Sequence, residues 1–513
     1  MPAAHRTRTL AAPRRSPPVS TLAVIDMGSN SFRLEVARVE DGHIHRLDTW
    51  RETLRMGASM DARGRIRAPY VHAALACLAR FSERLRGLHP SGVRAVATNT
   101  FRIASNAQAV LARAEKVLGF RIDVISGHEE ARLIYLGAAH VLPHSEEARL
   151  VIDIGGGSTE IIVGRGYEPL ALESLDMGCV SYSQRFFGGG RLAAQAFAAA
   201  RTHASAQIEA IARDLERHRW RDVFASSGTA LALADILEQN GLSAGGITPE
   251  GLAALRARMV RAGTIHRLRL PGLKPERAPV LAGGLAIMEA ALAELHVARA
   301  NPVGGALRLG VMVDMLGRHE ARDARAATVT RFAERYHVDV DHASRVAATA
   351  RALYAQAVPQ PAAESLQRLG WAAMLHEIGY SVSHQGFHKH AAYILQHADM
   401  PGFDAREQRL LATLVLACRG ALAKVAPLLG DAERRAQILA LRLAVRFHHA
   451  RRPIELPPIA LRAGASVGWR VPARWLASHP LTSHLLGEER EQWTSQGFRW
   501  RAPPPARRAL RSA

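Results

Sequence analysis

VIDMGSNSFRLEVARV occupies residues 24–39, and VIDIGGGSTEIIVG occupies residues 151–164. Each stretch begins as an apolar strand, turns sharply through glycine and serine, and resumes as a strand. Residues 22–25 supply the first strand and residues 32–37 its return, so the loop at Gly28 reads as a hairpin turn. Residues 149–154 and 160–164 repeat that order around Gly156. A lone glycine loop is often only a turn. Two loops, each opened by an aspartate after a buried strand and each carrying Gly-Ser, make an internal duplication rather than a short-period repeat.

Such loops suit anions. Glycine permits unusual φ values and removes side chains that block close approach. Successive backbone N–H groups then form a concavity for phosphate. Ser29, Asn30 and Ser158 add side-chain donors beside Gly28, Gly156 and Gly157. Asp26 and Asp153 stand at strand ends, within reach of a metal directly or through water, and Glu160 follows the second loop. Mg²⁺ favours this donor set, because it takes one or two carboxylates plus phosphate oxygens and water. The plainer reading of Asp153 is a turn residue bonding its own loop.

Between the loops lie Glu129 and Glu130, opening a helix read over residues 129–139. Acids in a first helical turn suit the helix dipole. Alternatively, one of them is a general base for an attacking water, which requires hydrogen-bond reach of that water. Spacing alone does not choose between these readings. Competing signatures are absent. No lysine follows a glycine, so there is no Walker A loop, and neither GxSxG nor HExxH occurs.

Working outward, strands at 43–56, 93–97 and 121–125 and helices at 70–88 and 107–118 argue for an α/β domain. A helix at 192–218, a strand at 223–228 leading to SSGT, and a helix at 278–295 continue a second one. From about residue 315, Ala- and Leu-rich helical patterns dominate; the last 60 or so residues carry proline clusters, four tryptophans and short strand-like runs. The expected organisation is therefore a disordered basic tail (1–20), α/β domain I (21–135), α/β domain II (136–314), a helical domain (315–450) and a small C-terminal domain (451–513).

The 513 residues carry 67 Lys+Arg against 46 Asp+Glu, a net charge of +21. That charge would draw in a polyanion and speed its capture. Lysine occurs only at Lys116, Lys274, Lys389 and Lys424. So lopsided an arginine content reflects genome composition in part, and charge alone does not choose among nucleic acid, an anionic membrane face and polyphosphate. No nucleic-acid recognition motif is present, so any such binding is expected to be non-specific. Peripheral membrane attachment stays open. Cys77, Cys179 and Cys418 have neither disulfide nor zinc spacing, which fits a reducing cytoplasm. The first twenty residues lack a signal-peptide apolar run.

Taken together, the motifs resemble the exopolyphosphatase and guanosine pentaphosphate phosphohydrolase family. The carrying strings are the two loops with NTFRIASNA, ISGHEEARLIYLGA, MGCVSYSQRFF, SSGT, LAGGLAI and LHEIGYSVSHQGFHKHAAYILQHADMPGF, in family order over nearly the whole chain. The resemblance implies two actin-like (ribonuclease H-like) domains with an active site between them, followed by a helical HD-like domain and a small terminal domain. It implies Mg²⁺-dependent release of a terminal phosphate by a homodimer. It places the catalytic glutamate on Glu130, the metal acids on Asp153 and Glu160, and phosphate contacts on Gly28, Ser29, Asn30, Gly156, Gly157 and Ser158. Arg102 in NTFR and, more weakly, Arg33 and Arg308 join the phosphate contacts. Family members often carry LREG where this chain has Leu307-Arg308-Leu309-Gly310, which puts the role of Arg308 in question. A working HD site needs a His-Asp doublet. Here the doublet reads His376-Glu377, so a non-catalytic helical domain is expected, with His384, His388, Lys389 and His390 free to line a polyanion path. HQGFHKHAAYIL resembles the exopolyphosphatase branch, which favours polyphosphate over guanosine pentaphosphate. A sugar kinase or ATPase, and a polyanion sensor without activity, are the other readings.

Overall fold

A computed structural model describes residues 21–40, 43–143, 145–319, 323–398 and 400–504. The expected tail, residues 1–20, lies outside the described residues. The chain divides into two compact units, Met1–Glu320 and Ala321–Ala513.

The first unit holds two five-stranded sheets of one topology. Strands β1 (Thr21–Met27), β2 (Ser31–Glu40), β3 (His43–Thr53), β4 (Val93–Ala97) and β5 (Ile122–Val124) lie in the order β3-β2-β1-β4-β5. Strands β6 (Arg149–Ile154), β7 (Thr159–Arg165), β8 (Glu168–Leu175), β9 (Asp222–Ser226) and β10 (Asn301–Pro302) lie in the order β10-β9-β6-β7-β8. In each sheet the first three strands form an antiparallel meander and the last two run parallel to the first. Both meanders carry a register shift between their second and third strands. The duplicated loops are thus the visible part of a duplicated fold.

The central strands are apolar on both faces, as strands covered on both sides must be. Ala23 and Ile25 of β1 join a core with helices Ala68–Leu85 and Ala107–Leu118. Leu22 and Val24, one residue out of phase, face a second core shared with Val151 and Ile162 of the other sheet. Between the sheets lie helices Gly127–Val141 and Leu307–His319, which supply Leu133, Ile134, Val311 and Met312 to that shared core.

The expected boundaries need adjustment. The division at 135/136 falls inside the Gly127–Val141 helix, and the division at 314/315 falls inside Leu307–His319. The two helices pack on each other within the core shared by the two sheets, so neither is a linker.

The second unit is a helical bundle. Helices Val340–Ala357, Ala363–Leu375, Ala405–Ala417 and Ala432–Phe447 contribute to one core. The terminal segment adds β11 (Ala460–Ala463), β12 (Ser466–Arg470) and β13 (Arg499–Trp500), with Trp469 and Trp493 buried in that same core. Arg442 and Glu489 form a fully buried ion pair across this packing. Among the described residues, no helix is long and apolar enough to cross a membrane.

Candidate active site

Strand periodicity decides which side chains meet. Residues two apart on a strand share a face. Asp26 therefore follows Leu22 and Val24 onto the face between the sheets, and Asp153 follows Val151 there. Glu160 shares the face of Ile162, while Arg33 and Glu35 share that of Ala37. The two sheets bring Asp26, Arg33 and Asp153 into one cleft of about 120 Å³, with Glu35 and Glu160 behind its lining.

The two glycine loops touch across the cleft. A Cβ on Gly156 would stand 3.0 Å from the Asn30 nitrogen and 3.2 Å from Ser29 Cβ. A Cβ on Gly157 would press on Asn99, 2.9 Å from its Cγ. None of Gly28, Gly155, Gly156 and Gly157 has a positive φ. The expectation that these glycines supply unusual φ is corrected: Gly156 and Gly157 are required by close approach, to the Asn30 backbone and to the Asn99 side chain. Thr100 donates to Ser29 Oγ at 2.9 Å, bracing the first loop.

A third loop completes the cleft. Ser227, Gly228 and Thr229 follow β9, the counterpart of β4. Ser227 sits at φ 89°, a conformation costly for a residue with a Cβ. Its hydroxyl accepts from Thr229 N at 3.1 Å and Ala230 N at 3.2 Å. Arg277 crosses over Gly228, where any side chain would collide with the guanidinium. Sequence reasoning noted SSGT only as a motif string and missed Arg277 altogether. The available signal was the repeat: SSGT follows β9 as TNTF follows β4.

The adjacent glutamates part company. Glu129 accepts two hydrogen bonds from Arg132, at 2.7 and 2.8 Å. Arg132 also donates to Asp314 at 2.6 Å, and Arg94 donates to Asp314 at 2.8 Å. Glu129 is fully buried in this ion network. Glu130 lines the cleft instead. Arg102 donates from Nη1 to Glu130 Oε2 at 2.7 Å and to the Ile125 carbonyl at 3.1 Å. Arg102 therefore pairs with Glu130 and is not among the residues that line the cleft.

Four carboxylates crowd together here. Burial raises the pKa of Glu130, with Arg102 opposing and Asp26 adding to the rise. Burial, and then the charges of Glu130 and Asp26, push Asp153 up to about 7, against the Ser226 hydroxyl. Burial, Glu130 and Asp153 hold Glu160 well above the usual range. Asp26 is raised by burial, with Arg308 and Arg33 opposing. Asp153 and Glu160 are direct cross-strand partners. Like charges placed so are unfavourable without a counter-charge. Glu160 lies deeper than the cleft lining, where Ser174 donates to it at 3.0 Å.

Arginines form the opposite wall. Arg308 donates from Nε to Glu35 Oε2 at 2.9 Å and stands 3.5 Å from Asp26. Those acids come from β1 and β2, so Leu309 leaves Arg308 with carboxylate partners. Burial and the neighbouring Arg308 bring Arg33 down to about 10. Arg51 Nε and Nη2 are buried without partners.

Paired actin-like sheets, glycine loops facing each other and buried carboxylates opposite arginines define a phosphate-handling protein. The family model "Ppx/GppA phosphatase family" matches residues 35–319, and "Ppx/GppA phosphatase, domain III" matches residues 324–490. This chain belongs to the Ppx/GppA phosphatase family. Among solved structures, an exopolyphosphatase from Cytophaga hutchinsonii superposes at a TM-score of 0.52 with 23% identity, covering 59% of this chain and 98% of that one. An exopolyphosphatase-like protein superposes equally well, at 0.52 and 24% identity, covering 59% of this chain and 99% of that one. At such identity these similarities establish the fold.

Proposed function

We propose that this chain hydrolyses the terminal phosphoanhydride bond of inorganic polyphosphate, releasing orthophosphate and shortening the chain unit by unit. One observation carries the choice of substrate. A pocket of about 410 Å³ shares Arg33, Arg277 and Arg308 with the phosphate cleft and adds Arg46, Arg51 and Lys274. Among the described residues, no aromatic ring lines it. A run of cations without a stacking surface suits successive phosphates better than a nucleobase.

In this reading the terminal phosphate sits between the loops at Gly28–Asn30 and Gly156–Ser158, held by backbone N–H groups. Phosphoryl transfer depends chiefly on positioning and electrostatics. Glu130, aimed by Arg102, accepts the proton of the attacking water, and its raised pKa favours that role. Arg33 and Arg308 hold the next phosphate and stabilise the leaving oxygen. Asp153 and Glu160 fit a magnesium ion, since two crowded buried carboxylates call for a counter-charge. Bound Mg²⁺ would supply charge neutralisation on the phosphoryl oxygens.

The test compares phosphate release from long-chain polyphosphate and from guanosine pentaphosphate. Polyphosphate is expected to be the better substrate by kcat/KM. The replacement of both Arg46 and Arg51 by alanine is expected to raise KM for polyphosphate with little change in kcat. Preference for guanosine pentaphosphate would overturn the substrate assignment.

A second expectation concerns the metal. The folded-state pKa of Asp153, about 7, lies above its ordinary 3.8, so the metal-free protein loses stability as pH rises between those values. Magnesium must displace that proton. The Mg²⁺-induced rise in Tm should therefore be larger at about pH 8 than at about pH 5.5, and the difference should shrink in Asp153→Asn, where Glu160 alone still has a proton to displace. A pH-independent rise would count against Asp153 as a ligand.

A further inference from the structure

The helical unit contains a second place built for a cation. His342, His376 and Glu377 each offer one ligand atom, all within 4.8 Å of one another, and all three residues are buried. They are the only such group among the described residues. His342 opens the Val340–Ala357 helix, while His376 caps the end of Ala363–Leu375. His342 Nε2 lies 3.6 Å from Glu377 Oε1, and His376 Nε2 lies 3.8 Å from it.

The hydrogen bonding leaves donor atoms in waiting. His376 Nδ1 bonds the Ala373 carbonyl at 2.5 Å, which puts the ring proton there and the lone pair on Nε2. His376 Nε2 and Glu377 Oε2 are buried and have no partner. A buried polar atom without a partner is costly, and native structures rarely keep one without a reason. Burial holds the pKa of His376 below its ordinary value. Burial raises the pKa of Glu377, but the His342 hydrogen bond and the neighbouring positive groups, Arg451 among them, outweigh it and hold it below the usual range.

His342 and Glu377 also line a cavity of about 1000 Å³ in this unit. An ion held by three protein ligands there would keep a coordination position open to that cavity.

We propose that His342, His376 and Glu377 form a binding site for a divalent transition-metal ion of the zinc type, separate from the phosphate cleft. Two imidazoles with one carboxylate favour such an ion over Mg²⁺, which prefers oxygen ligands. The doublet that departs from His-Asp thus keeps a carboxylate of the right charge, one methylene longer. Arg451 is the competing cation: its Nη1 donates to Glu377 Oε1 at 2.7 Å. It leaves Oε2 unpaired, and its side chain is 42% exposed, so it can withdraw into solvent.

The experiment uses the full-length protein, stripped by chelator and titrated calorimetrically with Zn²⁺ and, separately, Mg²⁺. One tight zinc site per chain is expected, retained in Asp153→Asn. Glu377→Gln should weaken zinc binding by at least about 100-fold, beyond the ~10–100-fold typical of losing an outer partner. His376→Ala should abolish it, with circular dichroism checking the fold. Arg451→Ala separates the site from a purely structural ion-pair network. If the group binds metal, zinc should bind more tightly to Arg451→Ala than to wild type and should raise its Tm. Absence of tight zinc binding to wild type, or equal binding by Glu377→Gln, would overturn the proposal, as would loss of the site in Asp153→Asn alone.

Discussion

Replacing Glu130 with glutamine should lower the rate of phosphate release by about 10²–10⁴-fold while leaving substrate affinity near that of wild type. Glutamine keeps the shape of the side chain and an oxygen for Arg102, which now donates to Oε2 at 2.7 Å. It removes only the capacity to take a proton. The loss should therefore appear in kcat rather than KM. The neighbouring residue provides the control. Glu129→Gln weakens a buried pair with Arg132, and breaking such a pair typically costs about 3–5 kcal/mol. That variant should lose stability first and catalysis second. Steady-state kinetics and urea denaturation on both variants read the two effects separately. If Glu130→Gln kept the wild-type rate, another group would have to serve as the base.

Gly310→Ala should destabilise the first unit by about 3 kcal/mol or more, at the upper end of what overpacking costs. The helices Gly127–Val141 and Leu307–His319 cross so closely that their backbones meet. A Cβ on Gly310 would fall on the Leu133 carbonyl, and one on Gly137 would fall on the Ala306 carbonyl. Those obstacles are main-chain atoms, which no rotamer change can move. The helices would have to separate, and with them the sheets that hold the two phosphate loops. Arg308 lies two residues from the crossing and pairs with Asp26 and Glu35, so activity should fall together with stability. A drop in the urea midpoint with unchanged m-value would match this account. An unchanged midpoint would show that the helices have slack.

The legible parts of this protein are those with a local code. Apolar strands running into Asp-Gly turns mark β1 with β2, and β6 with β7. The repetition of that pattern foretold two sheets, which share one topology. Other elements escaped notice, among them β8 and the helices Ser227–Gln239 and Pro249–Ala262. Strand β8 pairs along the edge of its sheet and is half-exposed throughout, so it lacks the apolar signature of its neighbours. The Ser227–Gln239 helix begins in a strained loop whose distinguishing feature, φ 89° at Ser227, has no local sequence marker.

Site chemistry divides in the same way. Residue types and spacing nominated the loops, Asp153, Glu160 and the pair at 129 and 130. The choice between those two glutamates belongs to the tertiary structure. They are adjacent on a helix, so they point in different directions, and only the positions of Arg132, Asp314 and Arg102 reveal which meets the cleft. Arg277 and Arg51 likewise became site residues only when separate parts of the chain were brought together beside Gly228. The His376-Glu377 doublet is a further case: by type it departs from His-Asp, and only the fold brings His342, from another helix, into one group with it.

By itself, then, the sequence determined the two glycine loops, their strands and the acids at their ends, because turns and strand alternation are encoded within a few residues. Only the tertiary structure decided which charges face one another. Coulomb interactions and desolvation depend on distances between segments far apart in the chain, and those distances exist only after the two sheets have closed on the helices between them.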